Sequence, residues 1–167
     1  MLKKKDLIFL AHLRENSRAS LTKISKKTNI PVSTLFDRLK SQRGNLIKKY
    51  TTIIDFEKMG YNCRAKVILK LGKECRENAK SFLVRHQNVN SVYRINNGYD
   101  FMVEVIFSHV KEMEEFLEVL DTKFNVVEKN VYFVIDEIQR ENFLSRPEDV
   151  DEWLANNKLL ARENEIA

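Results

Sequence analysis

A short stretch after Pro31 carries side chains of the kinds that contact nucleic acid. Arginine and lysine bind phosphates and guanine edges, while serine, threonine and aspartate exchange hydrogen bonds with base edges in the major groove. Between positions 33 and 49 these residue types recur at positions that do not face a predicted apolar core. The candidate DNA contacts are Ser33, Thr34, Asp37, Arg38, Lys40, Ser41, Arg43, Lys48 and Lys49.

Positive charge is concentrated in the same part of the chain. Residues 1–50 contain thirteen Lys and Arg against three acidic residues, a formal charge of +10. Residues 51–167 contain sixteen basic and twenty-one acidic residues, a formal charge of −5. A small basic segment joined to an acidic remainder predicts that the first segment binds double-stranded DNA and that the remainder has a different task.

Three helices are predicted to hold these side chains. The first covers about residues 4–16, where apolar residues recur at helical spacing. Ser20 is a typical N-cap for the second, which ends near Pro31 because proline disfavours helix in the residue before it. The third runs from about 32 to 42. A short turn between the last two helices predicts a helix–turn–helix at about 21–40, whose later helix enters the major groove.

The segment 46–56 alternates between apolar and polar residues and is rich in β-branched side chains. This pattern is typical of a strand, here a wing that leads out of the helices. We therefore expect a winged helix–turn–helix domain over residues 1–60.

The next part of the chain has a β-α-β-β-α-β order of patterns. Strands are expected at 64–71, 89–95, 99–107 and 126–138, with helices at 73–86 and 111–120. This order predicts an α+β, ferredoxin-like domain over residues 61–143, with two helices on one face of a four-stranded antiparallel sheet. The other sheet face has no cover in the chain, and such a face normally pairs with another subunit. We therefore expect a homodimer.

Several motifs resemble the Lrp/AsnC (feast/famine) family of transcriptional regulators. They are Asn29-Ile-Pro-Val-Ser-Thr34, Leu46-Ile-Lys-Lys-Tyr50, Asp55-Phe-Glu-Lys-Met-Gly-Tyr61 and the hairpin Gly98-Tyr-Asp100. Together the matches cover about residues 4–143. Two departures lie at the end of the third helix, where the family's leucine is replaced by Gln42 and the helix is shortened around Arg43-Gly44-Asn45.

The resemblance implies a fold and a set of partners. Dimers of the family form through the ferredoxin-like domain and can build tetramers or octamers, and some members bind an amino acid near the hairpin. Carried over, Gly98, Tyr99 and Asp100 are candidates for an effector loop. The alternative interpretation makes Gly98 a turn residue and Asp100 a structural hydrogen-bonding group.

The last segment, 144–167, is predicted to be a helical tail. Ser145 and Pro147 are typical of a helix start, and acidic residues follow them. Trp153 is the only tryptophan of the chain. We expect it to anchor the tail against the ferredoxin-like domain or a neighbouring subunit.

The sequence does not favour an enzyme. Cys63 and Cys75 lack metal or redox spacing, the three histidines are scattered, and no cofactor or metal is expected. One alternative is a siroheme decarboxylase-type protein, which shares the Lrp-like fold, but Phe101-Met-Val-Glu104 lacks the Trp of its signature. Another is an effector-sensing adaptor without DNA binding, which the basic charge disfavours.

The overall prediction is a cytoplasmic, sequence-specific DNA-binding transcriptional regulator. No stretch of the sequence reaches the length of a membrane-spanning helix. The regulator is expected to act as a dimer or higher oligomer and to respond to an amino acid or another small effector.

Overall fold

The computed structural model describes residues 3–156 and contains two compact units. The helical unit contains the chain up to Thr52 together with the segment that begins at Ile138. The sheet unit is Ile53–Glu137, so it is inserted between the two parts of the helical unit. Residues 157–167 of the predicted tail lie outside the described residues.

The helical unit begins with three helices at the predicted positions: α1 (Lys4–Glu15), α2 (Leu21–Thr28) and α3 (Val32–Gln42). Ser20 caps α2, because its Oγ accepts a hydrogen bond from the backbone N–H of Lys23 at 3.2 Å. Asn29 ends α2 in the left-handed conformation, with φ of 55°. The turn to α3 is therefore short and sharply defined.

A small apolar core holds these three helices together. Its side chains come from each helix and from the turn before α3, and all are buried. They are Phe9, Leu13, Ile24, Ile30 and Leu35. Apolar burial of this kind is the main source of helix stability in a unit this small.

The predicted wing strand does not form within residues 3–156. The segment after α3 contains only an isolated bridge between Arg43 and Ile47, and the first strand of the chain begins at Cys63. A strand needs a neighbour to satisfy its backbone hydrogen bonds. The segment 48–55 contains no strand in the structure, so alternation alone was an insufficient signal.

The sheet unit has the predicted β-α-β-β-α-β order. Its elements are β1 (Cys63–Leu71), α4 (Arg76–Arg85), β2 (Val89–Arg94), β3 (Phe101–Phe107), α5 (Val110–Phe124) and β4 (Val126–Phe133). The strands are antiparallel in the order β2-β3-β1-β4. This is the ferredoxin-like arrangement. Three strands are shorter than predicted, since β2 ends at Arg94, β3 begins at Phe101 and β4 ends at Phe133.

Alternation along the central strands divides the two sheet faces. Ala65, Val67 and Leu69 of β1 are fully buried in the core shared with α4 and α5. The opposite face carries Lys66 and Ile68 of β1, and its other side chains come from the neighbouring strands in register, among them Tyr93, Met102 and Tyr132. This second, open face mixes apolar and charged groups.

The final described helix, α6 (Val150–Asn156), packs on α1. Val150 and Leu154 are buried against Leu7 and Ala11. Trp153 packs beside this cluster and meets the ring of Phe143 edge-on.

We expected Trp153 to anchor the tail on the ferredoxin-like domain or on a neighbouring subunit, whereas within the chain it packs beside the cluster that joins α6 to α1. The apolar side chains of α6 cover Leu7 and Ala11 of α1. Two ion pairs also join α1 to the segment that begins at Ile138, Lys4 with Asp151 at 2.8 Å and Arg14 with Glu141 at 3.1 Å. In the described part of the chain, no helix combines the length and the apolar character needed to cross a membrane.

Candidate nucleic-acid interface and hairpin site

The exposed side of α3 carries most of the predicted polar contacts. Leu35 faces the core with no exposure, and Leu39 packs beside it. The other side of the helix therefore points outward and presents Ser33, Asp37, Lys40 and Ser41, all exposed, and Thr34, half-buried. Side chains of these types, held on a rigid helix, can donate to and accept from base edges.

Arg38 is placed differently from the other candidates. Its guanidinium forms an ion pair with the Oδ1 atom of Asp6 in α1, and the two side chains are only 20% and 15% exposed. The Nε of Arg38 is buried and has no hydrogen-bond partner within the described structure. Arg38 thus connects α3 to α1, and it is not part of the exposed polar side of α3.

Basic residues follow α3 directly. Arg43, Lys48 and Lys49 are all exposed. Gly44 lies between them in the left-handed conformation, with φ of 79°, and its N–H donates to the carbonyl of Ile47 at 3.0 Å. This tight turn replaces the predicted strand at its start.

Sequence reasoning missed two residues on α3. Phe36 is 58% exposed and Val32 is 41% exposed, although both are large and apolar. The spacing gave no signal of this exposure. Val32, Leu35, Phe36 and Leu39 stand at i, i+3, i+4 and i+7, the spacing of one helical face, so the pattern would predict all four to face the core.

The predicted hairpin turn between β2 and β3 is confirmed. Asn97 and Gly98 have φ angles of 62° and 83°, as a two-residue turn of this type requires. A Cβ added to Gly98 would meet no atom within 4 Å. The backbone conformation, and not a lack of space, therefore favours glycine at this position.

Asp100 is buried and ties three elements together. Its backbone N–H donates to the carbonyl of Leu69 at 2.8 Å, and its Oδ2 accepts from the N–H of Leu71 at 2.8 Å. Its Oδ1 lies 2.8 Å from the Nε of Arg76 in α4. These contacts give the carboxylate a structural role, whatever else it does.

Tyr99 faces another group of residues. Its hydroxyl donates to Glu128 and accepts from the side-chain amide of Asn130 at 3.0 Å. The hydrogen bond to Glu128 raises the pKa of Tyr99 and lowers that of Glu128. The hairpin therefore does not bring Tyr99 and Asp100 to one point, while Gly98 lies exposed at the turn.

Asp100 borders a cavity of about 170 Å³ beside α4. Its polar lining has three basic side chains and two acidic ones, Glu77 and Asp100, with apolar side chains between them. The lining includes Arg76, Lys80, Arg94, Asp100, Val84 and Val92. The Nε of Arg76 is buried and its N–H is not directed at an acceptor. The cavity is chemically suited to a small anion or a carboxylate with an apolar side chain.

No metal site accompanies these features in the described residues, which contain no cluster of three or more His, Cys, Asp or Glu able to hold an ion.

Comparison with known sequences identifies relatives over most of the chain. The family model described as the Lrp/AsnC ligand binding domain matches residues 65–143. An HTH-type transcriptional regulator of Pyrococcus furiosus is 31% identical over 144 residues, which cover 85% of this chain and 96% of the relative. The transcriptional regulator AzlB of Bacillus subtilis is 30% identical over 120 residues, 70% of this chain and 74% of AzlB.

Solved structures share the fold. A transcriptional regulator of Neisseria meningitidis in complex with L-Met has a TM-score of 0.77 at 21% identity, covering 84% of this chain and 94% of that one. LrpC of Bacillus subtilis has a TM-score of 0.76 at 21% identity, covering 83% and 98%. The family match, the relatives above and the β-α-β-β-α-β sheet unit agree. The chain belongs to the Lrp/AsnC family of transcriptional regulators.

Proposed function

We propose that this regulator binds double-stranded DNA in a sequence-specific manner, with α2 and α3 as its helix–turn–helix. The observation that carries the proposal is the exposed polar row of α3, which is followed by exposed basic residues in a segment with a formal charge of +10. A charged helix of this kind fits the major groove. The names of the relatives as HTH-type regulators support the same function.

The proposed contacts fall into two classes. Base edges are assigned to the outward residues of α3, and phosphates to the basic residues after it. The first class is Ser33, Thr34, Asp37, Lys40 and Ser41, and the second is Arg43, Lys48 and Lys49. Arg38 is assigned to holding α3 in place, because it is engaged by Asp6.

We also propose that the open sheet face forms a homodimer. Glu104 is buried on this face, where it accepts from Arg64 at 2.8 Å and from Asn90 at 2.6 Å. Burial alone would raise the pKa of Glu104, but the hydrogen bonds from Asn90 and Arg64 outweigh it and leave the pKa below its ordinary value. Glu104 is in register with Lys66, and Lys66 with exposed Tyr132. A face that combines satisfied charges with an exposed aromatic ring suits an interface better than open water.

Such a dimer would carry two copies of α3 related by a two-fold axis. The expected operator is then a pseudo-palindrome whose half-sites are one helical turn, or a multiple of it, apart. Light scattering tests the dimer. A monomer at concentrations where the operator is bound would contradict this part of the proposal.

The cavity beside α4 is the proposed effector site, and an amino acid is the proposed class of ligand. Arg76 and Lys80 can bind a carboxylate, while Val84 and Val92 can contact an apolar side chain. The complex of the Neisseria meningitidis regulator with L-Met supports this class.

Thermal-shift measurements with each of the twenty amino acids test the effector site. At least one is expected to raise the melting temperature of the wild type and to lose this effect in Arg76→Gln. Arg85→Gln, at an exposed position of the same helix, is the matched control. The proposal fails if none of the twenty raises the melting temperature, or if Arg76→Gln responds like the wild type.

Selection of duplexes from a random DNA library tests DNA binding itself. The wild type is expected to enrich a pseudo-palindromic sequence and to bind it far more tightly than a scrambled duplex. Equal binding of both duplexes would leave only a nonspecific basic surface. The relatives reported above are named as regulators and not as enzymes, so they lend no support to the decarboxylase alternative.

A further inference from the structure

Phe36 occupies an unusual position for an aromatic residue. It lies in the middle of α3 and is 58% exposed, one helical turn after Val32, which is 41% exposed. The core of the three helices is already filled by Leu35 and its neighbours. Phe36 therefore contributes little to that core and leaves a large apolar surface in contact with water.

The surroundings of Phe36 indicate what covers this surface. Lys40 follows it by one turn and Ser33 precedes it by about one turn, and both are exposed. Exposed Arg43, Lys48 and Lys49 come next in the chain. An apolar side chain in such a basic, hydrogen-bonding surface is complementary to an anionic partner that presents an isolated apolar group.

Double-stranded DNA has this chemistry. In the major groove the C5-methyl group of thymine is the apolar feature of the base edges, and phenylalanine is among the side chains that contact it. We propose that Phe36 is a specificity-determining residue that reads a thymine methyl group in each half-site. This inference rests on the proposed function of α3 as the helix that enters the groove.

The position of Arg38 strengthens the assignment. An arginine that binds guanine is the commonest specific contact in the major groove. Arg38 is the only arginine within α3, and its guanidinium is engaged by Asp6 with little exposure. Recognition by α3 therefore depends on its remaining outward side chains, of which Phe36 has the largest apolar surface.

Replacing thymine by uracil isolates the proposed contact, because uracil lacks only the methyl group. The probe is the duplex that the wild type selects from a random library, with uracil placed at one thymine of each half-site at a time. At one position the wild type is expected to bind about three- to fivefold more weakly, as for the loss of one buried methyl group. Phe36→Ala should bind the thymine and uracil duplexes equally well.

Val110→Ala serves as the control, since it removes an exposed apolar side chain from the sheet unit. It should retain the preference for thymine over uracil. Phe36→Ala is also expected to keep the melting temperature and the molar mass of the wild type, because the side chain is mostly exposed. A change in molar mass would assign Phe36 to a protein contact and overturn the proposal.

Two further outcomes would also overturn it. One is a wild type that selects a sequence yet binds every uracil duplex as well as the thymine duplex. The other is Phe36→Ala with the preference intact. If the wild type prefers no duplex at all, the proposed sequence-specific DNA binding is wrong. That result differs from a failure of the Phe36 proposal alone, in which the wild type still selects a sequence.

Discussion

Asp6 in α1 binds Arg38 in α3 across 32 positions of sequence, and the same carboxylate caps its own helix. Its Oδ1 holds the guanidinium, while its Oδ2 accepts from the N–H of Lys3 at 2.9 Å. One side chain therefore fixes the start of α1 and the position of the helix proposed to read DNA. The orientation of α3 depends on a residue that need not touch DNA.

Asp6→Ala is expected to lower the free energy of unfolding of the helical unit by about 2 to 3 kcal/mol. This value lies between the loss of a helix cap and the breaking of a buried ion pair. Urea denaturation followed by circular dichroism measures it. Asp151→Ala removes an exposed pair with Lys4 and should change the free energy by less than about 0.5 kcal/mol. Equal losses for the two variants would show that the Asp6 pair is no stronger than a surface pair.

Replacing Lys48 and Lys49 by alanine is expected to weaken binding to all DNA sequences by a similar factor. If each lysine neutralises one phosphate, the slope of log K against log salt should become shallower by about 1 per residue. Fluorescence anisotropy at several salt concentrations measures the slope. Lys111→Ala, an exposed lysine of α5, is the control and should leave it unchanged. A loss confined to the selected operator would instead assign the two lysines to base recognition.

Leu154→Ala is expected to destabilise the helical unit by about 2 to 3 kcal/mol, as for a large apolar side chain removed from a small core. The reason is its burial against Leu7 and Ala11 of α1. Hydrogen exchange at the amides of α1 should accelerate. Glu152→Ala, exposed on the same helix, should have little effect. Unchanged protection of α1 in Leu154→Ala would mean that α6 does not stabilise it.

The stability of the sheet unit is expected to fall as the pH drops below about 6.5. Burial lowers the pKa of His86, which lies among Phe82, Phe107 and Phe116. Its Nδ1 also accepts a hydrogen bond from the N–H of Asn88 at 3.2 Å, which a protonated nitrogen cannot do. The unfolded chain therefore binds a proton at a higher pH than the folded chain, so acid favours unfolding until the pH falls below the folded-state pKa.

His86→Asn tests this dependence, because the amide oxygen can replace the acceptor but does not titrate in this range. The loss of unfolding free energy between pH 7.5 and pH 5.5 should be smaller in the variant than in the wild type. His109→Asn, at an exposed position, should behave like the wild type. If His86→Asn loses as much unfolding free energy between pH 7.5 and pH 5.5 as the wild type, His86 is not the cause of the pH dependence.

Caps and turns could be predicted from the sequence, because they depend on residues that are neighbours in the chain. The Ser20 cap and the hairpin turn at Gly98 each depend on a few neighbouring residues, and the structure confirms both. The same holds for the order of strands and helices in the sheet unit, because alternation and helical periodicity report which side of each element is buried.

Features that join distant parts of the chain could not be predicted in this way. The sequence places Arg38 about one helical turn after Leu35, but it does not show that Asp6 in another helix would meet it. It shows an apolar stripe at Val150 and Leu154, but not that α1 has the matching stripe. The expected wing failed for a related reason, since a strand pattern does not supply the neighbouring strand.

The insertion of the sheet unit between the two parts of the helical unit sets an order of assembly during synthesis. α1 to α3 leave the ribosome first, yet Leu7 and Ala11 stay uncovered until Val150 and Leu154 have been made. At roughly 5–20 residues per second, the whole of Ile53–Glu137 is translated and free to fold in that interval. The helical unit is therefore the last part of the protein to complete its packing. If translation stops before α6 is made, the released chain leaves Leu7 and Ala11 of α1 exposed to water.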